Sequence, residues 1–166
     1  MDINILSDTD HTVRKIAVEE LPMLTELFDY NNISEMIEEN TCLIENGTDD
    51  IFILLNEDKL LGELHVRYES NDPMEAVKGK RAYLYAFRIH EDHQGNGLGK
   101  FLMKAVIEIL SGYGYSEFTI GVEDDNQRAI HIYQSFGFNE VIARKYEEYQ
   151  GDGYEYNLYL KRENPV

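Results

Sequence analysis

One cysteine in 166 residues leaves no internal disulfide, no Cys-x-x-Cys redox motif and no cysteine-cluster metal site. Cys42 is expected to be a small core residue. Basic residues are scarce too: fifteen Lys and Arg stand against thirty-two Asp and Glu, a net charge of −17. Such a field repels nucleic acid and anionic membranes and attracts cations, so a positively charged small partner is favoured. Acidity that serves only solubility would look the same. No apolar run approaches a membrane span, and the opening residues Met1 to Asp8 lack the basic flank and apolar stretch of a secretory signal. The chain therefore reads as cytoplasmic, and the triplets Asn32-Ile33-Ser34 and Asn46-Gly47-Thr48 carry no weight as glycosylation acceptors.

What is present is ordinary globular composition, 43% hydrophobic and 28% charged, at a length that suits one domain over residues 1–166. Val13 to Ala17 is a short strand candidate. Leu21, Leu24, Leu27 and Phe28 then recur at helical spacing, predicting an amphipathic first helix. A second, strongly acidic helix is expected from Ser34, as N-cap, towards Asn40. Ile51 to Leu55 and Leu60 to Val66 flank Asn56-Glu57-Asp58-Lys59 and read as a hairpin with a four-residue connection. After a polar loop from Ser70 to Lys80 comes a strand from Ala82 to Ile89. From Leu98 onward, Phe101, Leu102, Ala105, Val106, Ile109 and Leu110 mark the apolar face of the strongest helix in the chain, ended by Gly112 and Gly114. Phe118 to Val122 is a strand, and a strand–loop–helix–strand unit of this length predicts a parallel pair. A third helix from Asn126 shows Ala129, Ile130 and Tyr133 on one face. Two last strands, Phe138 to Glu147 and Tyr154 to Leu160, flank a turn at Gln150-Gly151-Asp152-Gly153.

Between the strand ending at Ile89 and the strongest helix lies Gln94-Gly95-Asn96-Gly97-Leu98-Gly99-Lys100. Unpaired amides and the positive end of a helix dipole can hold phosphate there, and glycines let a ligand approach the backbone. A tight strand-to-helix turn has the same look. A P-loop would need Gly at Gln94 and Ser or Thr at Phe101, and a dinucleotide fingerprint needs its third glycine one position after Gly99, so both are excluded by spacing.

The segment resembles the Gln/Arg-x-x-Gly-x-Gly/Ala block of the GCN5-related N-acetyltransferases, the GNAT family. A second block of that family, an Asn, an Ala-aliphatic pair, a Tyr and a Gly-Phe, is matched by Asn126, Ala129, Ile130, Tyr133, Gly137 and Phe138. The order of elements is also similar from Val13 to Leu160, leaving residues 1–11 as an N-terminal extension.

The resemblance implies an α/β acyl-CoA N-acyltransferase fold, a mixed central sheet flanked by helices with a splayed parallel strand pair at the cofactor site. It implies acetyl-CoA as acyl donor; no metal is expected. The pantetheine arm would lie against the strand segment Phe87, Arg88 and Ile89, chiefly the backbone of Phe87 and Ile89, with the Arg88 side chain reaching a cleft carboxylate or solvent. Pyrophosphate would sit on Gln94, Gly95, Asn96, Gly97, Leu98, Gly99 and Lys100, with Asn126 and Tyr133 completing the cofactor contacts. The amide of Ile89 would face the thioester oxygen as charge grows there. Tyr133 would assist the leaving thiolate, whereas a Tyr on an apolar helix face is otherwise a core residue.

The base is the departure. Histone-type members carry a Glu where this chain has Tyr83, and protein N-terminal acetyltransferases often carry one where it has Gly121. Glu123, two residues on and expected on the same strand face, is the preferred candidate, with Glu63 on the neighbouring hairpin strand as another. Water can also carry the proton. His90 and His93 lack a third convincing metal ligand. Phe28, Asp29, Tyr30, Glu35, Glu38 and Glu39, with Tyr146, Tyr149, Asp152 and Tyr154, offer carboxylates and aromatic faces that suit an ammonium acceptor. The expected activity is acetyl transfer to a primary amine, with a small cationic amine favoured. A protein N-terminal or lysine acetyltransferase, or a silent acyl-CoA-binding regulatory module, is the alternative. The terminal strands are a possible homodimer contact.

Overall fold

The computed structural model describes residues 5–7 and 10–163. Among them are strands β1 (Ile5–Ser7), β2 (Thr12–Lys15), β3 (Asp49–Asn56), β4 (Lys59–Arg67), β5 (Arg81–Ile89), β6 (Glu117–Val122), β7 (Glu140–Tyr149) and β8 (Asp152–Arg162). The α-helices are α1 (Ile33–Glu45), α2 (Leu98–Gly112) and α3 (Gln127–Ser135). The strands follow the order β1-β2-β3-β4-β5-β6-β8-β7, and β5 and β6 form the parallel pair of a mixed sheet. No helix of the described residues is long and apolar enough to cross a membrane. Contacts divide the chain into two compact units, Met1–Val66 with Ala86–Tyr113 and Arg67–Tyr85 with Gly114–Val166.

In the first unit the core is supplied by β3 and β4, whose central residues Ile51–Leu55 and Leu60–Val66 are buried on both faces, and by the i, i+3, i+4 stripe of α2. Leu102, Met103, Ala105, Val106, Ile109 and Leu110 are all buried, as are Val13, Phe52, Leu54 and Leu64. A Cβ at Gly62 would stand 2.7 Å from Ile89 Cδ1 and 3.0 Å from the Arg88 carbonyl oxygen, so only glycine lets β4 lie this close to β5.

The first predicted helix is present but is 3₁₀ rather than α, over Val18–Glu26. Pro22 stands inside it without an N–H to give, and i→i+3 bonds such as Leu27 N to Leu24 O, 3.0 Å, close its turns. Leu21 and Leu24 are buried and Phe28 is exposed. Helix α1 begins earlier and ends later than expected. Asn32, not Ser34, is its N-cap, accepting from the Glu35 amide at 3.0 Å, and its last turn carries Cys42 on the exposed side rather than in the core. The β3–β4 connection is two residues, Glu57 and Asp58, because Glu57 adopts φ 55 and turns the chain tightly.

In the second unit Arg81–Leu84 of β5 pair in parallel with Glu117–Ile120 of β6, whose other edge pairs antiparallel with β8. The registered parallel pairs run only to Leu84↔Ile120, although β6 continues to Val122 and β5, past Ala86 at φ 49, to Ile89. Strands β7 and β8 meet at a two-residue turn, Gln150-Gly151 at φ 50 and 91, shorter than the four residues expected. Two successive positive φ values make it the primed turn whose twist matches paired strands.

Candidate active site

In the first unit the glycine loop has the local geometry of an anion cradle. Gly97 caps α2 at φ 79 with no side chain to bond the first-turn amides, and no atom lies within 4 Å of where its Cβ would be. Gly95 turns the chain just before it at φ 85. Gln94 ties the loop to the strand, donating from Nε2 to the Ile89 carbonyl at 3.1 Å. A Cβ at Gly99 would come within 3.4 Å of Phe87 Cζ and 3.7 Å of Ile89 Cγ1, so the side chains of Phe87 and Ile89 face α2. Asn96 on the loop and Lys100 in the first turn of α2 are exposed, and Leu98 is half-buried. His90 and His93 pack edge to face at 5.6 Å, and His90 Nδ1 accepts from the Asp92 amide, which turns the chain into the loop.

Arg88 faces the other way. Its Nη1 donates to Glu63 Oε1 at 2.5 Å and to the Tyr30 hydroxyl at 3.5 Å, and its guanidinium carbon stands 3.9 Å above the Phe28 ring. The expectation that Phe28 and Tyr30 offer open aromatic faces to an ammonium is thus corrected, because the chain's own cation covers Phe28. Glu63 is wholly buried, and His65 Nε2 approaches the same carboxylate oxygen at 3.2 Å. Burial of this charge is tolerable because Arg88 neutralises it. Glu63 was the signal in the sequence: a carboxylate inside the mostly apolar run Leu60 to Val66 calls for a cationic partner.

In the second unit Asn126 caps α3, its side chain accepting from the Ala129 amide at 3.1 Å. Tyr133, half-buried on that helix, stacks edge-on against Phe138 with centroids 6.2 Å apart. Burial pushes its phenol up to about 12, so it is a proton donor at neutral pH and not a base. Glu123 is exposed and follows the end of β6, so strand alternation from Gly121 does not reach it. At Gly121 itself a Cβ would meet Tyr156 Cδ2 at 2.5 Å. Tyr156 and Tyr83 share a hydrogen bond, and both phenols are raised chiefly by burial. One tyrosine therefore occupies the space of a side chain at Gly121 and also bonds the residue at position 83. On the β7–β8 hairpin the exposed Tyr146 donates to Glu148 and Tyr154 donates to Glu147. Tyr149 and Asp152 are register partners beside the turn.

The sequence profile of the acetyltransferase (GNAT) family matches residues 13–138, which include both the glycine loop and the Asn126–Phe138 block. The chain belongs to the GNAT family. Among curated GNAT relatives, the L-amino acid N-acyltransferase MnaT of Escherichia coli (strain K12) is 40% identical over 50 residues, 30% of this chain and 29% of that protein. The spermine/spermidine N(1)-acetyltransferase of Bacillus subtilis (strain 168) is 40% identical over 62 residues, 37% and 41% of the two chains. The matched stretch thus spans less than half the length of these curated relatives. Likeness to solved GNAT structures is whole-chain. The ribosomal-protein-S18-alanine N-acetyltransferase of Escherichia coli superposes with TM-score 0.70 at 18% identity, covering 94% of this chain and 96% of that one. A ribosomal L7/L12 alpha-N-protein acetyltransferase in complex with coenzyme A does so with TM-score 0.71 at 18% identity, covering 96% and 98%. At such identities the likeness establishes the GNAT fold.

Proposed function

We propose that this chain transfers an acetyl group from acetyl-CoA to a primary amine that approaches as an ammonium ion. The observation that carries the reading is the side-chain-free cradle at Gly97, at the N-terminus of α2, in a chain of this family. The residues fit a pyrophosphate: the amides around Gln94 to Lys100 donate to it, and the α2 dipole favours its charge. In the reaction the amine nitrogen forms a bond to the acetyl carbon as the carbon–sulfur bond breaks, and the ammonium proton leaves to solvent or a base. Phe87 and Ile89 contact the donor through their backbone, and the Ile89 amide supports the oxygen on which charge grows. Tyr133 gives its proton to the departing thiolate. Glu123 remains a proposed route for the amine proton only through water, given its exposure.

Charge supports a cationic acceptor. The chain carries −17, and α1 has four glutamates and no basic residue. Burial, then the neighbouring charges of Glu35 and Glu38, raises the Glu39 carboxyl, the mark of a surface short of cations. The likeness to a spermine/spermidine N(1)-acetyltransferase is in keeping with such an acceptor. The test is a panel of primary amines with acetyl-CoA, following release of the free thiol. Turnover that depends on amine is expected. Binding of acetyl-CoA with no turnover across the panel would favour a silent acyl-CoA-binding module instead.

A further inference from the structure

Arg88 has more donors than the protein uses. A guanidinium carries five N–H groups in a planar fork, and only Nη1 has partners among the described residues, Glu63 and Tyr30. Nε and Nη2 have no hydrogen-bond partner among the described residues, and the side chain as a whole keeps 24% of its surface, while Glu63 keeps none. Three contacts hold the guanidinium. Nη1 donates to Glu63 at 2.5 Å and to the Tyr30 hydroxyl at 3.5 Å, and the guanidinium carbon stands 3.9 Å from the centre of the Phe28 ring, against which Tyr30 packs edge-on. A preset guanidinium with an open edge is complementary to a carboxylate, because two parallel N–H bonds match its two oxygens. Its position is also informative. Arg88 sits between Phe87 and Ile89, whose side chains face α2, so it projects from the opposite side of the strand whose backbone is assigned to the thioester.

We infer that the open edge of Arg88 binds the carboxylate of the acceptor, and that the acceptor is a basic α-amino acid acetylated on its α-amine. The inference rests on the acetyltransferase reading above and narrows it. A basic side chain satisfies the negative field of the protein as a whole, and the α-carboxylate satisfies the fixed guanidinium beside Ile89. Glu63 is a positioning residue: it touches no substrate and holds Arg88 in place. Without the guanidinium contact, selection would follow charge alone, and a diamine with one more positive charge would be the better acceptor.

The experiment compares each amino acid with its own decarboxylated amine, L-lysine with cadaverine and L-arginine with agmatine, at saturating acetyl-CoA. It reads the ratio of kcat/KM within each pair, which does not depend on the fraction of enzyme that is folded. The parent protein should favour the amino acids by roughly 10- to 100-fold, the range of a charged hydrogen-bonded pair, and the product should be the Nα-acetyl compound. The double variant Arg88→Gln/Glu63→Gln removes both charges together and so avoids an unpaired buried carboxylate; its ratio should fall to about one or reverse. Arg88→Lys keeps the charge that Glu63 needs but loses the fork, and should give an intermediate ratio. A preference for the diamines, or a ratio that survives the double variant, overturns the inference and leaves the acetyltransferase reading standing. No turnover of any amine overturns both.

Discussion

The ring of Tyr156 lies where a side chain at Gly121 would begin, 2.5 Å from the position of a Cβ. The same phenol bonds Tyr83, so one tyrosine fills the space beside the two positions, Tyr83 and Gly121, at which the family resemblance leads to the expectation of a carboxylate. The absence of those carboxylates is accompanied by a packed replacement, not a gap.

Gly121→Ala should therefore push the Tyr156 ring out of the core it shares with Tyr83, Ala76 and Leu158. Overpacking of this kind costs roughly 1–3 kcal/mol, read as a lower denaturation midpoint at unchanged m-value. Tyr156→Ala alone destabilises by leaving a cavity, and in the double variant the two losses should be less than additive. Strict additivity would mean that the two residues do not compete for the same space.

A side chain at Gly97 has open space but the wrong backbone, at φ 79. Gly97→Glu should cost about 1–2 kcal/mol of stability from the left-handed conformation, leaving the chain folded. It should abolish acetyl-CoA binding, because a carboxylate then stands in the anion cradle. Calorimetric titration at a temperature where the variant is folded decides this, and affinity equal to the parent would refute the loop assignment.

Tyr133→Phe keeps the ring and its contact with Phe138 while deleting a phenol that burial holds at about 12. If its proton reaches the thiolate in the rate-limiting step, maximal turnover should fall by roughly a hundredfold or more with little change in the melting temperature. A lowered melting temperature with unchanged turnover would assign Tyr133 to the core. The raised pKa also has a stability sign: the contribution is present below the unfolded value of 10.0 and is lost as pH rises through about 12.

Glu20 gives the acid-side counterpart. Its two oxygens bond the Arg14 guanidinium at 2.9 and 2.8 Å and one also accepts from the Ala17 amide at 2.8 Å. Arg14 first, then the Ala17 amide, pulls the carboxyl from 4.5 to about 2. A depressed pKa contributes stability above 4.5 that is lost as pH falls towards 2. Both side chains keep 30% of their surface, so solvent screens the pair and Glu20→Gln should cost only about 1 kcal/mol or less at neutral pH. Melting curves of parent and variant should converge as pH falls below 4.5. A gap that stays constant down to pH 3 would show that the charge is not what stabilises the turn.

Much of the fold was already determined along the chain, because its signals are local. The stripe of α2, the stop at Gly114, the Asn126 cap and the glycine loop each depend on residues a few positions apart, and periodicity and backbone sterics act at that range. The two motif blocks likewise placed the chain in its family, since their spacing is itself the information. Where local signals competed, the outcome needed the structure: Leu21 and Leu24 are buried as expected, yet Pro22 turned the helix that carries them into 3₁₀ form. Two-residue turns at Glu57 and Gln150 shortened connections that composition alone made longer. The partners of the charged and aromatic groups were out of reach of any local reading. Arg88 meets Glu63 from 25 positions away and Phe28 from further still, and the Tyr156 that fills the space at Gly121 comes from another strand. Those encounters are decided by which strands become neighbours and in what register, and a shift of one residue would turn each of these side chains to the other face of its sheet.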